Sequence, residues 1–148
     1  MKPNRFMLEA LRQAKIAFEA DEVPVGAVVV CNGEIIAKAF NQNITLKDPS
    51  AHAEILALRQ AAKVKNSHRL DDCDLYVTLE PCAMCAAAIS WAKLKRVYYG
   101  ATDEKFGAIE NGARLFSHSS HYHRPEVYSG FSADEAKKLM QDFFKKKR

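Results

Sequence analysis

Val77-Thr78-Leu79-Glu80-Pro81-Cys82-Ala83-Met84-Cys85 constrains this chain more than any other stretch, because it reads as a strand running into a helix with two thiols near its start. Pro81 lacks an N–H and presets φ for helix, which suits the first helical position. Cys82 and Cys85 then lie one turn apart on one face, where both sulfurs can reach one ion. A helix N-terminus also favours negative charge and so supplies the thiolate form that binds zinc.

Two cysteines are half of a tetrahedral shell. In Ser50-Ala51-His52-Ala53-Glu54, His52 offers a third ligand, and Glu54 stands close by without having to coordinate. Three protein ligands leave one position for water, as in catalytic zinc sites, whereas a closed structural site needs four. The spare thiols, Cys31 beside a turn and Cys73 before a strand, have no thiol partner at short spacing and read as packed cysteines. Zinc lowers the pKa of bound water from about 15.7 to about 7, and Glu54 is the residue to take that proton.

With 148 residues and 48% hydrophobic content, residues 1–148 read as a single domain with a full core. No repeat or low-complexity stretch interrupts it. The net charge of +4 equals the contribution of Lys145-Lys146-Lys147-Arg148, so the basic excess belongs to the tail. Preceded by Phe143 and Phe144, that tail can grip phosphates and stack a base, or it can serve only to offset a helix dipole. The N-terminus lacks the apolar region and cleavage site of a signal peptide, which makes a reducing cytoplasm the expected compartment for four cysteines. No apolar run reaches the roughly 18 residues of a membrane span, so a soluble protein is expected.

Asn4 begins an amphipathic helix with Met7, Leu11, Ala14 and Phe18 on one stripe. Asp21 to Pro24 break it, Val25 to Val30 read as a buried strand, and Asn32-Gly33 as a type I′ hairpin returning through Glu34 to Phe40. Residues 41–49 form a loop, with Ser50 the expected N-cap of a helix from Ala51 to Val64. Asp71-Asp72 reads as a turn. Leu75–Leu79, Cys82–Lys93 and Arg96–Tyr99 make a strand-helix-strand crossover, which joins parallel neighbours and puts ligands beyond the strand carboxyl ends. Between Asp103 and Pro125 a short helix is expected around Asn111 to Phe116. His118, His121 and His123 in this stretch read as solvated or hydrogen-bonded loop groups, not a second metal site. Glu126–Tyr128 is a short strand, and Ala133–Lys147 a helix burying Ala136, Leu139, Met140 and Phe143. The sum is a helix-flanked α/β sheet. Neither a Gly-rich phosphate loop nor a Ser-centred nucleophile motif occurs.

His52-Ala53-Glu54 followed by Pro81-Cys82-Ala83-Met84-Cys85 resembles the cytidine and nucleobase deaminase superfamily. Within it, Glu22-Val23-Pro24-Val25-Gly26-Ala27-Val28, Asn41, Asp48 to Glu54 and Leu75 to Cys82 look like the bacterial tRNA adenosine deaminases. The resemblance implies a cytidine deaminase-like three-layer α/β/α fold with a central five-stranded mixed sheet, acting as a homodimer. It implies hydrolysis of the wobble adenosine of a tRNA anticodon stem-loop to inosine. Zinc, one ion per chain, would be held by His52, Cys82 and Cys85, with Glu54 moving protons to a ring nitrogen and then to the leaving amine. Asn41 would contact the flipped base in a pocket walled by Pro24, Val25 and Gly26. Asp103, Lys105 and Phe144 with the basic tail would meet the RNA. After Gly107-Ala108, Ile109-Glu110-Asn111-Gly112 replaces the family's more usual run of small residues. A guanine or cytidine deaminase is the alternative reading.

Overall fold

Gly26–Cys31, small and apolar throughout, forms strand β1 and is buried along its whole length. Burial on both faces follows from helices packed on either side. The computed structural model describes residues 4–118 and 123–147. In order these form α1 (Arg5–Glu19), β1, β2 (Glu34–Phe40), α2 (Ala53–Lys65), β3 (Cys73–Leu79), α3 (Ala83–Ala92), β4 (Arg96–Ala101), a 3₁₀ turn (Leu115–Ser117), β5 (Glu126–Tyr128) and α4 (Ala133–Lys146). The strands make one sheet in the order β2-β1-β3-β4-β5. Strand β1 is antiparallel to both β2 and β3, while β3, β4 and β5 run parallel. The sheet is therefore mixed, as expected, and α3 is the crossover between β3 and β4.

Alternation along β1 sorts the core into two layers. Val29 packs with Leu75, Val77, Val97 and Tyr99 beneath Ala53, Ala57 and Ala61 of α2 and Ile89 of α3. Val28 and Val30 face Met7 and Ala10 of α1, and α4 lies beside α1, with Leu11, Ala101 and Ala136 in contact. Small residues on α2 let that helix settle close to the sheet. The architecture is three-layer α/β/α. The turn between β1 and β2 has Asn32 at φ 52° and Gly33 at φ 78°, both left-handed, as a type I′ hairpin requires.

Three expected boundaries differ, each for a local reason. Ser50 does not cap α2, because its N–H and hydroxyl are taken by Asp48 Oδ1 at 2.8 and 2.7 Å. His52 is the capping residue instead. Pro81 is not the first residue of α3, since Cys82 is its N-cap with extended backbone (φ −75°, ψ 177°). Cys82 pairs with Gly107 in an isolated bridge, and the Pro81 carbonyl accepts the Ala108 N–H at 2.9 Å, which holds the chain straight. The helix expected over 111–116 is only the 3₁₀ turn Leu115–Ser117. Gly112 and Arg114 sit at φ 54° and 46°, which an α-helix cannot contain.

Glu22 fastens the loop after β2. Its carboxylate is 1% exposed and accepts the Ile44 N–H at 3.2 Å and the Thr45 N–H and hydroxyl at 2.7 Å each. Burial opposes its ionisation, but these donors outweigh it and hold the pKa below the usual 4.5. A depressed carboxylate stabilises the fold above its unfolded pKa and loses that contribution as pH falls through the folded value. Glu22→Gln is therefore expected to lower stability by about 2 kcal/mol at neutral pH. The gap from wild type should shrink as urea unfolding is repeated at pH values falling below 4.5.

Candidate active site and metal centre

The N-termini of α2 and α3 meet at one point beyond the carboxyl end of β3. His52 is the N-cap of α2, Cys82 the N-cap of α3, and Cys85 lies in the first turn of α3. His52 Nδ1 is 3.6 Å from Cys82 Sγ and 3.5 Å from Cys85 Sγ, and all three donor atoms lie within 4.8 Å of one another. Zinc bonds of about 2.0–2.1 Å to nitrogen and about 2.3 Å to sulfur, at a tetrahedral angle, give a nitrogen–sulfur edge of about 3.6 Å. The donor set and its spacing therefore fit zinc. Two helix dipoles point their positive ends at the thiols, which favours thiolates there.

The two sulfurs are hydrogen-bonded to one another. A hydrogen bond from Cys85 pulls Cys82 down to about 4, while the same bond and burial push Cys85 up. The hydrogen bond with Cys82 raises His52. Glu54, two residues after His52, lies in the first turn of α2. It is 4% exposed, and burial lifts its carboxyl from 4.5 to about 7. A carboxyl poised near neutrality can both take and return a proton.

Asn41, 6% exposed, accepts the Ala53 N–H through Oδ1 at 2.7 Å. This bond satisfies a free donor at the start of α2 and fixes which way the amide faces. Asn41, His52 and Glu54 form the floor of a cavity of about 1400 Å³ that Val25, Phe106 and Phe144 help to line. Of the three residues expected to wall it, Val25 does so; Pro24 is buried, and Gly26 packs against α1, where any Cβ would collide with the Ala10 carbonyl and the Ala14 nitrogen. Asp103 and Lys105 are on the cavity wall with Lys145 of α4 and Lys147 just after it. The two tail phenylalanines part company: Phe143 is buried edge-to-face on Phe18 at 6.0 Å, while Phe144 is 46% exposed. Lys146 and Lys147 pair with Asp21 at 3.8 and 2.6 Å. Arg148 lies outside the described residues, as does His121. His118 Nε2 and His123 Nε2 engage the carbonyls of Ala113 and Leu94 at 2.7 and 2.6 Å, as hydrogen-bonded loop histidines should.

Sequence reasoning missed Glu80. This carboxylate is 2% exposed, and its Oε2 receives the consecutive N–H groups of Ile109, Glu110 and Asn111 at 3.0, 2.8 and 3.1 Å. Its Oε1 receives the Asp103 N–H at 2.9 Å and Asn111 Nδ2 at 2.7 Å. The backbone forms an anion nest that Glu80 fills. Gly107 is needed there because a Cβ would strike the Glu80 carboxylate. Glu110, for its part, accepts the Tyr99 hydroxyl. Ile109-Glu110-Asn111-Gly112 thus clamps the 103–111 loop to the junction between β3 and α3. Only the adjacency of Glu80 to Pro81-Cys82 hinted at this, because its partners lie 23 to 31 residues away.

A family model for MafB19-like deaminases matches residues 1–148, and the chain belongs to that family of deaminases. The tRNA-specific adenosine deaminase of Agrobacterium fabrum is 50% identical over 145 residues, covering 98% of this chain and 95% of its own. A solved structure from work on A-to-I editing by tRNA:A34 deaminases at the wobble position of transfer RNA superposes with TM-score 0.90 at 50% identity, over 91% of this chain and 98% of that one. Within the family, the chain's place is therefore beside the bacterial tRNA-specific adenosine deaminases. Guanine deaminase from Bacillus subtilis is more distant, with TM-score 0.65 and 44% identity over 69% of this chain and 66% of that one. Among the described residues, no helix is long and apolar enough to cross a membrane.

Proposed function

We propose that this chain, as one deaminase domain, hydrolyses adenosine to inosine at the wobble position of a tRNA anticodon. The observation that carries the reading is the His52, Cys82 and Cys85 triangle with buried Glu54 beside it, set in the floor of a cavity open to a basic, aromatic rim. His52, Cys82 and Cys85 would hold one zinc per chain, and zinc when bound lowers the pKa of a water to about 7. Glu54 takes the proton of the water that adds to C6 of the base. It returns that proton to the neighbouring ring nitrogen, then helps the amine leave as ammonia. Asn41 and Val25 hold the unstacked base, and Glu54's burial keeps bulk water from competing for the proton. Phe144, braced edge-on by Phe143, offers its exposed face to a nucleotide, while Lys105 and Lys145 meet phosphates.

A homodimer working in the cytoplasm accompanies this reading. Exposed Met84 and Trp91 on the outer side of α3, at 38% and 61%, give an apolar face suited to a second copy. Light scattering at micromolar concentration tests it.

The substrate is decided by incubating the protein with an adenosine-containing anticodon stem-loop, guanine and cytidine, and identifying products by mass. Inosine in the RNA is expected. Conversion of guanine or cytidine alone would move the assignment to a small-molecule deaminase, a reading favoured by the likeness to guanine deaminase. Metal analysis should find one zinc per chain, lost in Cys85→Ala. RNA binding should weaken with salt, by roughly 0.7 logarithmic unit per tenfold rise in salt for each phosphate neutralised. Removing Lys145 to Arg148 should lower that slope, and an unchanged slope would leave the tail as a helix end only.

A further inference from the structure

We infer that Cys31 and Cys73 form a dithiol that peroxide closes to a disulfide, a modification site at the end of the sheet away from the metal centre. Cys31 ends β1 and Cys73 opens β3, and the two are direct partners in the antiparallel register. Cys73 directs its N–H to the Leu70 carbonyl at 3.0 Å and its carbonyl to the Lys95 N–H at 2.9 Å. Neither group faces β1, so the pair is of the non-hydrogen-bonded kind. Such partners stand with Cα atoms about 4.5 Å apart and side chains on one face, inside the roughly 4.4–6.8 Å that a disulfide spans. The sulfurs and an Asp72 oxygen all lie within 4.8 Å of one another.

The surroundings suit thiol chemistry better than cation binding. Asp72 accepts from Cys31 Sγ at 3.2 Å through Oδ2 and from Cys73 Sγ at 3.4 Å through Oδ1. Lys65, at the far end of α2 from His52, donates to Asp72 at 2.7 Å and to Cys31 Sγ at 3.4 Å. Its ammonium already supplies the positive charge that a metal would bring, and an ion would have to displace it. Cys31 is 6% exposed and Cys73 fully buried, so Cys31 meets the oxidant first.

In the first step Cys31 sulfur attacks hydrogen peroxide, the O–O bond breaks, and a sulfenic acid and one water form. Cys73 sulfur then displaces the sulfenic oxygen, the S–S bond forms, and a second water leaves. Two thiols are oxidised and one peroxide is reduced. Each thiol proton leaves with the departing oxygen in the water formed at that step, and Asp72 holds the two sulfurs in place by accepting from both.

The test uses the zinc-loaded full chain, in which Cys82 and Cys85 are engaged. It is treated with equimolar hydrogen peroxide, its remaining thiols are blocked, and it is digested without reductant for peptide mass mapping. The expected product is a cross-linked pair of peptides carrying Cys31 and Cys73, lighter by two hydrogens and separated by dithiothreitol. Closing the intervening loop should raise Tm by several degrees. Cys31→Ser and Cys73→Ser should both abolish the cross-link and the Tm rise while leaving deamination intact. Over-oxidation of Cys31 with Cys73 still free, a Cys82–Cys85 link forming first, or a second zinc held by Cys31 and Cys73 would each overturn the inference. The wild-type map decides without either variant.

Discussion

Glu54→Ala is expected to lower deamination by about 10²- to 10⁴-fold or more while leaving zinc content unchanged. The carboxylate lies next to the metal triangle but is not one of its three donors, so its loss removes a proton carrier and not a ligand. Burial lifts its pKa to about 7, which matches a group that must accept a proton and give it back within one turnover. Single-turnover rates on an anticodon stem-loop, read beside zinc analysis and circular dichroism, separate the possibilities. Turnover at the wild-type rate would remove Glu54 from the mechanism. Zinc lost along with activity would make it a metal-holding residue instead.

Glu80→Gln should produce the largest loss of stability among the substitutions considered, about 3 kcal/mol by urea unfolding. Five donors converge on the Glu80 carboxylate, and a glutamine would turn its own NH₂ toward some of them. The damage should extend to substrate binding, because the released 103–111 segment carries Asp103, Lys105 and Phe106 of the cavity wall. KM for the anticodon stem-loop is expected to rise more than kcat falls, since His52 and Glu54 stand at the start of α2 and Cys85 within α3, while Cys82 meets the loop through its bridge to Gly107. Equal stability of variant and wild type would mean that the nest closes without its anion.

How far the chain could be read in advance depended on the range of the interactions involved. The β1–β2 hairpin was legible because Asn32-Gly33 and the flanking apolar runs are neighbours in sequence, and β2 begins and ends where expected. The parallel pairing of β3 and β4 followed from a single crossover helix. The grouping of His52, Cys82 and Cys85 was legible because each thiol or imidazole sits at a helix start that local residues announce. The starts themselves were misjudged by one or two residues. Asp48 captured Ser50, and the bridge to Gly107 kept Cys82 extended, two contacts that no local propensity encodes.

Sequence by itself determined the alternation of buried faces, the hairpin, the crossover and the chemical identity of the His52, Cys82 and Cys85 cluster, because each rests on side chains near the start or end of one element. Tertiary structure alone decided that Glu80 ties the 103–111 loop to the junction between β3 and α3, that Phe143 turns into the core while Phe144 stays exposed, and that Cys31 faces Cys73. These depend on strand register and on backbone N–H groups brought from far along the chain. A carboxylate's partners, or a thiol's neighbour across a sheet, exist only once long loops have closed and every competing pairing has been excluded by packing.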